Sequence, residues 1–444
     1  MLTLVLILLS VLLIVITTTK LSVHPFLALI LASLFFGLLS GMNLELIITT
    51  INQGFGETIG KIGIIIIAGI IIGVFLEQSG GAYALAAQVL KLVGRKRVHA
   101  AMAVIGYIVC IPVFADSGFI ILSSLNRALS KEAGVSLAGT AIALSLGLTA
   151  THTMVPPTPG PIAAAGILGA DLGLVILVGL YVSMGAIVCS TWYAKKIAGR
   201  TWIDPQPELS RQEVQARISS SPPSWKSLLP IFVPIALIIL GSIAQYPTAP
   251  FGEGQLVTFI LFLGNPFTAL FIGVLLSLLL PKKLSKIMLS SDGWVGNGLR
   301  SAAVIILITG AGGAFGSILK TSDIGSLLGS FAESYPIGIW LPFLVAACMK
   351  TAQGSSTVAL TTTASIIQPL MGSLAMETDI EKAMVVVAIG AGSAFVSHAN
   401  DSFFWVVTQM SSMNVSQGYR LHSVGTAVLG VAAILLLTLL DIFI

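Results

Sequence analysis

The chain has 444 residues, of which 56% are hydrophobic and only 9% charged, against roughly 25% charged in soluble domains. That balance excludes a soluble domain of any size and points to an all-α integral membrane protein embedded in a lipid bilayer. The net charge of +4 is spread over loops, so it reports topology and offers no basic patch for nucleic acid.

A bilayer core of about 30 Å takes about 20 apolar residues of helix. Crossings are expected at 2–19, 24–40 and 62–78. The first, Leu2 to Ile16, lacks a basic n-region and a small-residue cleavage site and is expected to be retained. Segment 98–126 is bracketed by Lys91, Arg95, Lys96 and Arg97 on one end and Arg127 and Lys131 on the other, and both flanks belong in the cytoplasm. As a single helix it would measure about 43 Å. A re-entrant hairpin from the cytoplasmic side, turning near Pro112 to Gly118, resolves the conflict. A crossing at 137–170 follows, broken by Thr151-His152-Thr153-Met154-Val155-Pro156-Pro157-Thr158-Pro159-Gly160-Pro161. Four prolines and a glycine cannot continue a helix, and irregular backbone at that depth is tolerated only where it is buried in protein or lines a cavity. After a crossing at 172–192, the polar stretch 194–226 reads as a cytoplasmic loop. Further crossings are expected at 227–244, 255–280 and 298–318. A second hairpin at 337–372 enters from outside. A second broken crossing at 381–413 carries Ser397-His398-Ala399-Asn400-Asp401-Ser402, and a last crossing spans 421–443.

This arrangement puts 18 of the 22 basic residues in the cytoplasm. Lys61, Lys320 and Lys382 lie outside, and Lys350 falls within the second hairpin. Both termini come out external. Residues 1–193 and 227–444 then form two halves of five crossings and one hairpin each, joined by the linker 194–226. Gly73-Val74-Phe75-Leu76 aligns with Gly316-Ser317-Ile318-Leu319, and His152 with His398, at offsets of 243 and 246. An odd number of crossings inverts the second half, and an inverted repeat with paired broken helices is the pattern of a secondary transporter.

Asp116, with Ser117 and Gly118 at the first hairpin tip, is a candidate proton carrier, because an idle carboxylate at mid-bilayer is costly. The alternative is a carboxylate capping a helix that starts at Gly118. At the second tip, Gln353-Gly354-Ser355-Ser356-Thr357 could offer amides and hydroxyls to an anion at a helix N-terminus, against a reading as small-residue packing. Lys350 could neutralise a substrate carboxylate, pair with Asp116 or Asp401, or snorkel to the interface. His152 and His398 could relay protons, bind hydroxyls or cap the breaks, and Thr158, Asn400 and Asp401 extend the two breaks with polar groups. Asp116, Asp401 and His152 are the proton-coupling candidates. Cys110, Cys189 and Cys348 show no CxxC spacing and read as packing residues. His24, His99 and His422 read as interfacial, while Glu77 and Asp441 receive no role. No P-loop, HExxH or GxSxG is present, and no metal or cofactor is expected. An intramembrane hydrolase pairing Asp116 with Asp401 is the reading from another class.

The runs His152 to Pro161, Ala352-Gln353-Gly354-Ser355-Ser356-Thr357-Val358-Ala359 and Ser397 to Ser402 resemble the gluconate permease (GntP) family over essentially the whole chain. The resemblance implies a bacterial inner-membrane symporter for gluconate or a related sugar acid and H+, with relatives carrying D-serine or glycerate. Through the ion transporter superfamily it also implies a homodimer, two re-entrant hairpins and elevator-type motion. Many gluconate-type members have His where Thr158 stands, Gly where Phe403 stands and Arg where Lys350 stands, which leaves the transporter class intact and shifts the expected acid. The expected function is proton-coupled uptake of a small hydroxylated carboxylate. A D-serine or glycerate permease and a Na+-coupled carboxylate carrier stay open as alternatives.

Overall fold

A computed structural model describes residues 2–94, 97–206, 211–245, 250–321 and 338–443. Among these residues there are helices and no strand. The solvent requires this, because a bilayer offers the backbone no hydrogen bonds and a helix satisfies its amides within one segment. Before the linker come α1 (Leu2–Thr19), α2 (Pro25–Leu39), α3 (Leu44–Gln78), α4 (Gly81–Val93), α5 (Val98–Val109), α6 (Ala115–Ala133), α7 (Leu137–Met154), α8 (Pro159–Leu168) and α9 (Leu172–Lys196). The linker contains α10 (Arg211–Ser220). After it come α11 (Ser224–Ala244), α12 (Gln255–Gly264), α13 (Pro266–Ser277), α14 (Lys286–Leu289), α15 (Trp294–Lys320), α16 (Trp340–Gln353), α17 (Ser356–Ile367), α18 (Asp379–Ala394), α19 (Ser402–Met410) and α20 (Val424–Asp441), the last led in by a π-helical turn, Gly418–Ser423.

Local chemistry sets many of the helix starts. Asn43 Oδ1 accepts the Glu45 amide at 2.9 Å, and Asp171 Oδ1 the Leu174 amide at 2.8 Å. Thr378 and Glu381 form a reciprocal capping box. The Asn43 cap explains why α3 is longer than the expected 62–78: it runs 35 residues, about 52 Å. Gln53, Glu57 and Lys61 ended the apolar window in sequence, but they sit exposed on one side of the helix. Its other side crosses α15 at Gly54 and Gly313, where an added Cβ would strike Ser317 or Thr58 and the facing carbonyl. Lipid gives no hydrophobic drive between helices, so close small-residue contacts of this kind hold the crossing together.

The packing partners are reciprocal. The chain α5–turn–α6 lays α5 on α7 and α6 on α19, while α16–turn–α17 lays α16 on α18 and α17 on α8. Each helix pair therefore touches both interrupted crossings. Leg α5 spans 12 residues and α16 spans 14, about 18 and 21 Å, shorter than a bilayer core.

Several boundaries differ from expectation. Among the described residues, six helical stretches are long and apolar enough to cross a membrane, or seven if the bent pair α12–α13 counts as one. The other three expected crossings, 2–19, 24–40 and 381–413, coincide with the shorter helices α1 and α2 and the interrupted pair α18–α19. The expected crossing 255–280 bends by 65°, because Pro266 cannot continue α12 and Asn265 Oδ1 caps Phe267 at 3.0 Å. Helix α6 starts at Ala115, ahead of the expected Gly118.

The 194–226 stretch is not simply a loop. It contains the end of α9, all of α10, and a segment pinned to α7 by Ser136 Oγ, which donates to Thr201 O at 2.6 Å and accepts the Ile203 amide at 2.9 Å. Arg127 is buried and donates to Pro205 O at 2.9 Å and Met410 O at 2.6 Å, tying α6 to the linker and to α19. Arg95, Lys96, 207–210 and the first residue of the expected second hairpin lie outside the described residues.

Candidate functional site

The two breaks and the two tips converge. Pro156 and Pro157 have no amide to donate, so α7 stops at Met154, and Pro159 then opens α8 as its first residue. Helix α18 stops at Ala394. The chain resumes at α19, where Asp401 Oδ1 accepts the Phe403 amide at 3.0 Å. At the second tip, Gly354 has φ +81°, and a Cβ there would strike the Asn400 carbonyl. Only glycine fits that left-handed, close-approach position. Gly354→Ala is therefore expected to strain the tip by about 1–3 kcal/mol and to slow transport while leaving insertion intact, read by uptake at matched protein levels.

Between these elements lies a cavity of about 320 Å³, within the size range of small-ligand sites. Asp116, Thr149 and His152 line it from one side, the stretch Gln353 to Thr357 from another, and Lys350, Ser397 and Asn400 to Phe403 from a third. Among the described residues, four buried polar atoms of wall residues have no hydrogen-bond partner: Asp116 Oδ1, His152 Nδ1, and both Oε1 and Nε2 of Gln353. Leaving such an atom unpaired costs about 1–3 kcal/mol. Grouped around one cavity, such side chains offer a polar ligand several hydrogen-bonding groups.

The cavity wall holds a buried ion pair. Lys350 Nζ lies 2.6 Å from Asp401 Oδ2 and also donates to the Gly354 carbonyl. Ser397 Oγ donates to the same carboxylate oxygen, and His422 Nε2 lies 3.2 Å from Ser397 Oγ. His422 Nδ1 reaches Ser145 Oγ on α7 at 3.3 Å. A polar chain thus links α16, the second break, the π-helical turn and α7. Asp116 Oδ2 accepts from Ser402 Oγ at 3.3 Å.

Of the expected site residues, Asp116, His152, Lys350, Gln353, Gly354, Ser355, Ser356, Thr357, Asn400 and Asp401 line this cavity. Four do not. Thr158 is buried with its hydroxyl donated to Val155 O at 2.6 Å. His398 Nε2 is 2.8 Å from Thr351 O. Ser117 lies beside Glu77, and Gly118 packs against Leu148. Asp116 lies in the first turn of α6 without capping its amides, and Lys350 is buried, which overturns the capping and snorkelling readings. His422, read as interfacial, is fully buried. Thr149, Ser397, Ser402 and Phe403 are wall residues that received no binding role from sequence. Thr149 sits three residues before His152 on α7, and that helical spacing was the available signal.

A family model described as GntP family permease matches residues 2–443. The chain is 33% identical to a gluconate permease of Pseudomonas aeruginosa, covering 96% of this chain and 95% of that one. It is also 33% identical to the D-serine transporter DsdX of Escherichia coli K12, over 96% and 95%. Among solved structures, the YdaH transporter of Alcanivorax borkumensis, described as having an unusual topology, superposes with a TM-score of 0.63 at 14% identity, covering 90% of this chain and 89% of that one. That likeness concerns the fold.

Proposed function

Because this chain belongs to the GntP permease family, a family of multi-pass membrane permeases and not of enzymes, we propose that it takes up a small hydroxylated carboxylate, gluconate or a related sugar acid, together with H+. The observation that carries the substrate class is the set of unpartnered polar side chains around one cavity at two helix breaks. The acid's carboxylate docks at the start of α17. Helix geometry leaves the Ser356 and Thr357 amides there without intrahelical acceptors, and the dipole favours an anion. Substrate hydroxyls take the Gln353 amide and His152 Nδ1. Asn400 offers Oδ1, since its Nδ2 is held by the Thr351 and Ala352 carbonyls at 2.9 and 3.1 Å. Lys350 acts at long range, being bonded to Asp401. Asp401 shares in proton coupling only if it first releases Lys350, so the proton falls to Asp116.

The cytoplasmic linker, the external termini, the inverted halves 1–193 and 227–444, the homodimer and the bacterial inner membrane belong to the same reading. The reciprocal packing of the two helix pairs supports the inverted halves. Phe403 on the cavity wall favours a shorter acid, and the D-serine transporter among the relatives keeps an amino acid in play.

The test is uptake of radiolabelled gluconate, D-glycerate and D-serine into proteoliposomes, with and without an inward proton gradient, in Na+ and in K+. Gradient-stimulated accumulation of one acid supports the proposal and names the substrate. Accumulation that requires Na+ overturns the proton coupling. Product formation in detergent without a gradient would bring back the hydrolase. Gln353→Leu is expected to raise KM about tenfold, the loss of one buried hydrogen-bonding group.

A further inference from the structure

The outer face of α20 forms a groove with α9, of about 670 Å³. Val424, Val428, Val431, Leu435 and Leu439 line it from α20 and Cys189 from α9, so its wall is apolar along its length. Steps of four, three, four and four residues keep the α20 side chains on one helical stripe. From Val424 to Leu439 that stripe rises about 22 Å, longer than the roughly 15 Å of hydrocarbon in one bilayer leaflet.

The two helices run antiparallel. A Cβ on Gly185 would strike Leu436, while Tyr193 OH donates to the Arg420 and Leu421 carbonyls at 3.0 and 3.1 Å. The second contact joins the linker-side ends of α9 and α20. Trp192 and Lys196 follow Cys189 by three and seven residues and so continue its stripe beyond the groove. Arg420 precedes Val424 by four residues on the π-helical turn, with Tyr419 beside it. All four of these side chains are exposed. Among the described residues, neither Lys196 nor Arg420 forms an ion pair. No Asp or Glu occurs in 189–203 or in 402–440, and the opposite end of α20 carries Asp441. The groove is thus an apolar trough with a cationic, aromatic rim at one end and a carboxylate at the other.

We propose that this groove seats one anionic phospholipid. One acyl chain lies along Val424 to Leu439, and the headgroup phosphate meets Lys196 and Arg420. Trp192 and Tyr419 mark the level between chain and head, where aromatic rings with a polar edge collect. Basic side chains at a cleft between membrane helices select anionic headgroups. The charge difference between the two ends fixes the orientation, with the head on the linker side. A bare lipid-facing surface accounts for the apolar stripe, but not for two unpaired cations in register with it. Arg420 shares its turn with His422, which reaches Ser145 and Ser397, so the seat adjoins the second break.

The test is native mass spectrometry of the full chain in detergent, with phosphatidylglycerol or phosphatidylcholine of the same acyl chains added. Phosphatidylglycerol is expected to be retained at least ~5-fold more. Lys196→Gln combined with Arg420→Gln is expected to bring the two lipids to parity. Val431→Trp fills the groove from an exposed position and keeps both cations, and it is expected to lose the bound lipid. Equal retention of the two lipids by wild type would overturn the proposal. So would an unchanged preference in the double variant, which leaves the cations as topology signals only. Unchanged retention in Val431→Trp overturns it as well, since the headgroup then binds at the surface alone. Dimers that Val431→Trp dissociates would give the groove to a second copy of the chain and sink the lipid seat. If the double variant does not fold, Lys196→Gln decides: a preference cut at least ~2-fold supports the seat, and an unchanged one overturns it.

Discussion

Asp116→Asn is expected to insert, fold and exchange substrate, yet to lose proton-driven accumulation. The asparagine is nearly isosteric and keeps an oxygen for Ser402 Oγ, so the hairpin tip retains its local contact. What it loses is the ability to alternate between charged and neutral forms. Of the two carboxylates on the cavity wall, Asp401 is held by Lys350 and Asp116 is not, so Asp116 is the one that a proton can neutralise without breaking an ion pair. An ionised site costs several kcal/mol to carry through the bilayer core, and in the proposed mechanism that cost is what ties substrate movement to protonation. The measurement is the steady-state ratio of internal to external substrate under an inward proton gradient. The ratio should collapse toward unity in the variant. Wild-type concentrating power in Asp116→Asn would sink the assignment.

Lys350→Met should have the largest effect on stability. Removing one member of a buried ion pair strands the other, at a cost of about 3–5 kcal/mol. Here the stranded group is Asp401, whose remaining donors are Ser397 Oγ and the Phe403 amide. Thermal unfolding in detergent should show a marked fall. Combining Lys350→Met with Asp401→Asn should recover most of it, because the pair is then replaced by neutral groups that keep those two donors satisfied. Transport should not recover, since the charge near the second tip is gone. A single variant as stable as wild type would show that the pair does not lock the second break to α16.

Particular residues show what could be read in advance and what could not. The prolines at 156, 157, 159 and 161 dictate a break wherever the chain goes, because they lack a donor and clash with a preceding turn. Lys350, Asp116 and Asp401 are visible as ionisable groups in apolar sequence, which seldom lack a purpose in a membrane. Thr158 lies within the same break and looked equally available, but its hydroxyl covers the Val155 carbonyl. Thr149, a turn before His152, faces the cavity instead. Helical periodicity assigns faces only while the helix continues. Across an irregular segment the phase is reset by torsions that composition does not specify. His422 shows the same limit: a π-helical turn rotates it from an expected interfacial position into contact with Ser145 and Ser397.

The sequence by itself determined that this protein lives in lipid, that its backbone is helical, where two crossings must break, and which charged groups lie among apolar residues. Each of these follows from local chemistry: burial cost, missing amides and the length of a helix turn. Only the tertiary structure decided which partners those groups found. The Lys350–Asp401 pair joins residues 51 apart, and Ser402 meets Asp116 across 286. Such contacts depend on helix crossings at sites like Gly54–Gly313, where the approach is set by van der Waals fit between distant segments. No property of a single segment encodes that fit, so the chain's chemistry was legible one residue at a time, while the cavity that assembles it was not.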